Sequence, residues 1–313
     1  HSTMKRIFLS MAMMALVGTA WADDLAINSA EDWATFCSSP DTYSSGTVTL
    51  GEDISVSQGF PQAFTGTFDG QGHTITLGGI APAAKFALFA STGEGACIKN
   101  LNVGGTVTSA QSVGIVAQDV NGTTTIENVK VSADITSTGF PLSGFVVNNK
   151  SLLSMTGCSY SGHITSKANA SVDISGFISN MSGQSAFKLD RCSFTGRIEI
   201  LAGWRAGAFV SSNTSTLVAD CEMNFCEMSG SITQENGSER VGGFIGSPNS
   251  DKSSYILKGC LMNGTCKRWN SNSDHTWITQ ENCIVMGCGT WKSMGTNTKM
   301  ANCYLTPTTE VKA

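Results

Sequence analysis

Cys158, Cys192, Cys226 and Cys260 stand 34 residues apart. Each sits in a ten-residue frame that reads apolar-x-x-Cys-x-apolar-x-Gly-x-apolar: Met155 to Ile164, Leu189 to Ile198, Met223 to Ile232 and Leu257 to Cys266. Evenly spaced thiols in a chain of eleven cysteines raise the prospect of a disulfide framework or a metal site. Earlier copies of the frame argue against both, because Leu101 (in Ile98 to Val107) and Val129 (in Ile126 to Ile135) take the cysteine position. The column therefore reads as buried thiols used as small hydrophobes. Shortened copies at Cys283 and Cys303 extend it. Side chains one strand apart lie about 4.8 Å from each other, wider than the Cβ separation near 3.8 Å that a disulfide wants. Cys266 falls on a second inward column. Cys37, Cys97, Cys221 and Cys288 fall off the first, and their pairing stays open.

Polar residues recur beside this column. Two residues before it stand Lys99, Glu127, Thr156, Asp190, Asn224, Lys258 and Glu281. Glu127 and Asp190 are two repeats apart, about 9.6 Å by strand spacing, at the outer limit for an inverting carboxylate pair. Five residues after the column stand Asp134, His163 and Arg197. That row is suited to bind an acidic sugar, or to act as acid and base with Asp134 orienting His163. It equally suits a solvated row of complementary charges, each pair worth under about 1 kcal/mol. Intact sites gather more charged groups in one cleft, so the expectation is a non-catalytic protein. His73, among Asp69, Gly70 and Gly72, is read as part of a tight turn. Neither a metal nor a cofactor is expected, for one histidine has no clustered partner and no Asp-rich calcium loop occurs.

Aromatic residues supply the other candidate. Trp204, Trp269, Trp277 and Trp291 lie in the second half, outside the frames. Lys267-Arg268-Trp269-Asn270 and Asp274-His275-Thr276-Trp277 combine flat apolar faces with amides and charges, a mixture that stacks on and hydrogen-bonds a sugar ring. The ligand-binding candidates are thus Trp204, Arg268, Trp269, Asn270, His275 and Trp277. The competing reading is a C-terminal cap that uses tryptophan to cover the last repeats.

The elements that must hold these residues follow from the internal pattern. A period of 34 also belongs to helical repeats, but within each frame apolar and polar residues alternate. Cys192, Phe194, Gly196, Ile198 and Ile200 are interleaved with Ser193, Thr195, Arg197 and Glu199, which is strand spacing. A glycine near mid-frame (Gly105, Gly162, Gly196, Gly230, Gly264) suits a bend between short strands. A further strand precedes each frame, at Gly114-Ile115-Val116, Gly144-Phe145-Val146, Gly176-Phe177-Ile178, Gly207-Ala208-Phe209 and Gly243-Phe244-Ile245. About three short strands per turn, stacked in parallel, make an all-β, right-handed parallel β-helix, a solenoid. Ser29-Ala30-Glu31-Asp32 followed by Trp33 and Phe36 predicts a short N-terminal helical cap, and Val48 to Val56 the first strand.

Only 14% of residues are charged and the net charge is −5. His1, Ser2 and Thr3 resemble a cloning remnant. Residues 4–22 read as a signal peptide: Lys5 and Arg6, an apolar run from Ile7 to Val17, and Ala20-Trp21-Ala22 as the cleavage site. Cleavage after Ala22 removes two positive charges and takes the net charge from −5 to −7, which disfavours nucleic acid as a partner. No later stretch approaches the roughly 20 apolar residues of a membrane span. The expected layout is an N-terminal cap and first strand over 23–60, the parallel β-helix over 61–305 and a tail over 306–313, secreted or at the cell surface.

These residues resemble the secreted bacterial β-helix proteins built from GLUG-type repeats, common among surface proteins and adhesins of gut bacteria. Gly243-Phe244-Ile245-Gly246 is the clearest copy. Gly114-Ile115-Val116-Ala117 and Gly144-Phe145-Val146-Val147 depart at the last glycine, so the repeat is degenerate here. Phe64 to Ile75 (Phe-Thr-Gly-Thr-Phe-Asp-Gly-Gln-Gly-His-Thr-Ile) is similar to the segment that opens the solenoid in many of them. The resemblance covers Val48 to about Leu305. It implies a parallel β-helix and an adhesin-like, carbohydrate-binding surface role, and brings no catalytic residue with it. The alternative is a polysaccharide lyase or glycoside hydrolase of the pectin-lyase-like β-helix type. The partner expected is a glycan or host-surface ligand; the oligomeric state is left open.

Overall fold

The structure, a computed structural model, describes residues 24–168, 173–202, 205–217, 219–236, 240–247, 254–269, 277–281, 298–301 and 304–305. The chain winds as a parallel β-solenoid in which each turn lays its strands on those of the turn before. One turn runs through Thr124–Glu127, Lys130–Val131, Asp134–Ser137, Leu142–Ser143 and Val146–Asn149, and the next starts at Leu152–Thr156. There are thus five short segments per turn, not three, because two bends split what alternation alone reads as one strand.

Both bends lie inside the repeating frame. The first is the residue just before the cysteine column, which takes a left-handed backbone in six successive turns: Asn100 (φ 52), Asn128 (φ 53), Gly157 (φ 63), Arg191 (φ 50), Phe225 (φ 53) and Gly259 (φ 61). Asparagine and glycine accept this conformation readily, whereas Arg191 and Phe225 adopt it at a cost of roughly 1–2 kcal/mol each. The second bend is the frame glycine. A Cβ at Gly196 would lie 2.4 Å from the carbonyl oxygen of Gly162, and one at Gly230 2.1 Å from that of Gly196. Close approach of successive turns, rather than dihedral freedom, demands glycine there.

Register turns the sequence repeats into ladders. Ile98, Ile126, Met155, Leu189, Met223 and Leu257 are neighbours on successive strands, all buried. Leu101, Val129, Cys158, Cys192, Cys226 and Cys260 form the adjoining buried column, each at most 1% exposed. Cys266 continues Ile164, Ile198 and Ile232 in a second inward column. Phe145, Phe177, Phe209 and Phe244 stack face to face at 4.7, 4.8 and 5.0 Å between ring centroids, matching the strand spacing near 4.8 Å. Each such aromatic pair adds about 0.5–1.5 kcal/mol beyond its buried area. Cys37, Cys97, Cys158, Cys192 and Cys226 are free thiols.

Helix formation at the N-terminal end follows the expected signals. Ser29 caps the helix Ala30–Ser38 by accepting from the Asp32 backbone N–H, worth about 1 kcal/mol. Trp33 and Phe36 face inward; Phe36 stacks on Phe60 at 4.3 Å, and the Trp33 indole donates to the Gln58 carbonyl at 2.8 Å. The helix does not precede the solenoid, however. Leu25–Ile27 already pairs in parallel with Thr47–Leu50, so the helix is an insertion between the first two strands of the main sheet. The strand expected over Val48 to Val56 is two strands, Thr47–Leu50 and Ile54–Val56, in different sheets.

At the other end the expected repeat around Cys283 is not a further parallel rung. Trp277–Glu281 runs antiparallel to Thr265–Trp269, with Trp277 opposite Trp269 and Glu281 opposite Thr265. Ala301 takes the place beside Lys258 instead. Cys283, Cys288 and Cys303 lie outside the described residues.

Candidate functional site

The frame glycines mark a corner where the surface of the solenoid is concave. Gly162, Gly196, Gly230 and Gly264 line up along the axis at a corner, flanked on one side by Ser161, Thr195, Ser229 and Asn263 and on the other by Asp134, His163, Arg197, Ser231 and Thr265. At this corner lies an open groove of about 460 Å³ whose floor includes the glycine backbone and whose rims are hydroxyl, amide and charged groups; a Cβ on Gly162, Gly196 or Gly230 would point back onto the carbonyl of the turn before rather than into it. Register places Arg197 between His163 and Ser231, and Ser231 beside Thr265, so the rim is a ladder with a period of one strand.

Sequence reasoning found Asp134, His163 and Arg197 and assigned one contact incorrectly. Asp134 does not orient the His163 ring: its Oδ1 accepts the backbone N–H of His163 at 2.8 Å. The ring belongs to Glu199, whose Oε2 lies 2.9 Å from His163 Nε2; the Thr165 hydroxyl lies 3.3 Å from the same nitrogen. Glu199 also takes the Arg197 guanidinium. Parallel register explains the exchange, because Thr165 pairs with Glu199 directly alongside the His163–Arg197 pair, which brings Glu199 within reach of both the imidazole and the guanidinium. The signal was present in the sequence, since Arg197 and Glu199 share one outward face of a strand. His163, Glu199 and Arg197 are 37%, 31% and 58% exposed, so these ion pairs are screened and contribute well under about 1 kcal/mol each. Their service is to hold the rim side chains in place.

Glu127 and Asp190 lie elsewhere. They occupy one outward column, Asp69–Lys99–Glu127–Thr156–Asp190–Asn224–Lys258, on the opposite side of the cysteine bend from the groove. Thr156 stands between them on a sheet face, and the Asp190 carboxylate is held by Arg191 at 2.5 Å. A second, smaller hollow of about 290 Å³ opens on the same sheet over Thr125, Ser154, Lys188 and Glu222, with Leu152 and Phe187 at its apolar side, and neither carboxylate lines it.

His73 plays the turn role expected of it. Its Nδ1 sits 3.4 Å from Asp53, and Asp69 accepts from the Gln71 N–H and from the Asn100 amide. Trp204, Asn270 and His275 lie outside the described residues. Arg268, Trp269 and Trp277 are placed by backbone register alone, in the terminal antiparallel pair. Among the described residues, no three His, Cys, Asp or Glu side chains converge on a point where a metal ion would sit, and no helix is long and apolar enough to cross a membrane.

No family model matches this sequence, and no curated protein does. Solved structures do match. One, from Bacteroides ovatus and provisionally assigned as an immunoglobulin A1 protease, aligns with a TM-score of 0.60 at 15% identity over 89% of this chain and 83% of its own. Another, described as an IgA1 protease, aligns with a TM-score of 0.61 at 18% identity over 91% of this chain, which spans only 22% of that protein's length. At these identities the likeness is one of fold.

Proposed function

We propose that this chain is an exported, non-catalytic, adhesin-like surface protein whose glycine corner binds an extended glycan. The observation that carries the reading is the groove itself, floored by backbone and rimmed by Ser161, Thr195, Ser229 and Asn263 facing Asp134, His163 and Arg197. A linear sugar chain presents hydroxyls at regular intervals, and a rim of hydroxyls, amides and paired charges repeating every strand, about 4.8 Å, offers regular partners. Both carboxylates at the site are committed, Asp134 to a backbone N–H and Glu199 to the His163 imidazole and the Arg197 guanidinium, which suits holding a ligand better than proton transfer. The leader-like Met4 to Ala22 supports export.

A glycan array probed with the full chain, followed by calorimetry on the best hit, tests this. Arg197→Ala together with Thr195→Val is expected to weaken binding at least tenfold, while Trp269→Ala with Trp277→Ala leaves it within twofold. Failure to bind any glycan, or the reverse pattern of variants, overturns the groove reading. One observation favours a second reading as a glycan-cleaving enzyme: a carboxylate-bound imidazole, His163–Glu199, faces solvent beside the groove, the arrangement of a general base. New reducing or unsaturated ends on the bound glycan, lost in His163→Ala, would establish it. Immunoglobulin A1, named by the two structural neighbours, is the protein ligand to include on the same array.

A further inference from the structure

The thiol column is more than packing requires. Leu101 and Val129 fill the same buried position in earlier turns, so an aliphatic side chain serves the fold there, yet successive later turns carry cysteine. The thiols also share one orientation. Cys158 Sγ donates to the carbonyls of Thr156 and Ile126, Cys192 to those of Asp190 and Met155, Cys226 to those of Asn224 and Leu189. Each therefore bonds the residue two before itself and a carbonyl one turn back. Identical partners mean one rotamer repeated, so the sulfur atoms stack in line along the solenoid axis.

We propose that Cys192, with Cys158 or Cys226, is a linear two-coordinate site for a soft monovalent d10 cation, Cu(I). A sulfur–metal bond of about 2.3 Å, the length known for zinc thiolates, gives about 4.6 Å when doubled across the cation. That nearly equals the strand spacing of about 4.8 Å, so a cation fits between neighbouring turns with little backbone movement. A disulfide does not fit as well, since its Cβ separation near 3.8 Å requires two turns to close on each other. Zinc is disfavoured by coordination number: Cys192 and Cys226 have a thiol neighbour on each side and Cys158, next to Val129, has one, but among the described residues no third or fourth donor gathers around a common centre, and zinc wants four. Thiolates select Cu(I) among the soft ions.

Charge also balances. Cys192 releases its proton to solvent, its sulfur lone pair forms the bond to the cation, and a neutral neighbouring thiol completes the pair through its own lone pair. No electron is transferred and the column's net charge is unchanged.

The sulfurs are about 1% exposed, so loading is tested during folding. The full chain is unfolded anaerobically with a phosphine reductant, refolded with Cu(I), and titrated against a chromogenic Cu(I) chelator. The comparison is Cys158→Val/Cys192→Val/Cys226→Val, which Val129 shows the fold accepts; Cys192→Val alone serves if the triple variant does not refold. Wild type is expected to retain at least one equivalent of Cu(I) more than the variant, with a sulfur-only, two-coordinate X-ray absorption signature, and to show no such difference with Zn(II). Equal Cu(I) retention by wild type and a folded variant, or equal gains with Zn(II), overturns the proposal.

Discussion

Glu199 is the residue that alters the chemistry of the site. Reading Asp134, His163 and Arg197 as a row was correct, because each stands five residues after a column position and parallel register preserves that offset. Which carboxylate met the imidazole was not readable, since strand spacing favours Asp134, directly beside His163, over the diagonal Glu199, and only the side-chain rotamers reverse that order. Glu127 and Asp190 do share one column, but neither carboxylate lines the hollow on that sheet face. Glu127 nonetheless has a measurable effect, because burial first and its charge second push the Cys97 thiol up. At fixed pH a raised thiol holds less thiolate and reacts more slowly. Iodoacetamide labelling followed by peptide mass spectrometry at pH 8 is expected to modify Cys97 ahead of Cys37, whose burial pushes it to about 12. Glu127→Gln, by removing the negative charge, is expected to speed Cys97 labelling a few-fold; an unchanged rate would sink the electrostatic account.

At the scale of elements, the repeating frame encodes two bends and the strands between them. Alternation identified the strands and the mid-frame glycine was read as a bend, while the left-handed residue before the column went unnoticed because Asn, Gly, Arg and Phe share no side-chain property. Only the backbone reveals what they have in common. The glycine bend makes a sharp prediction. In Gly196→Ala the new methyl meets the Gly162 carbonyl oxygen at 2.4 Å and the Tyr160 ring at 2.9 Å, so urea unfolding should show a loss of about 1–3 kcal/mol. Ser161→Ala, on the rim of the same groove, should change stability by less than about 0.5 kcal/mol. If the two substitutions cost the same, the close packing of turns at this corner is not what excludes a side chain.

As a whole molecule, the solenoid must end somewhere, and its first turn shows how. Trp33 and Phe36 from the inserted helix lie over Phe60, Phe64 and Phe68, which would otherwise open the core to water. Uncovered solenoid ends recruit other edges. Trp33→Ser with Phe36→Ser is therefore expected to convert the protein into concentration-dependent oligomers by light scattering, and a variant that stays monomeric would show that the helix is not the barrier. The sequence alone determined the stacked parallel strands, the inward ladders and the presence of a helical cap, because each follows from residue type at a fixed period, which parallel register carries unchanged from turn to turn. Tertiary structure alone decided that the helix is an insertion within the first turn, that the chain reverses at Trp277–Glu281, and that a groove lies at the glycine corner with Glu199 beside it. Those outcomes depend on where the chain bends and which turn it meets next, and a repeat pattern specifies neither.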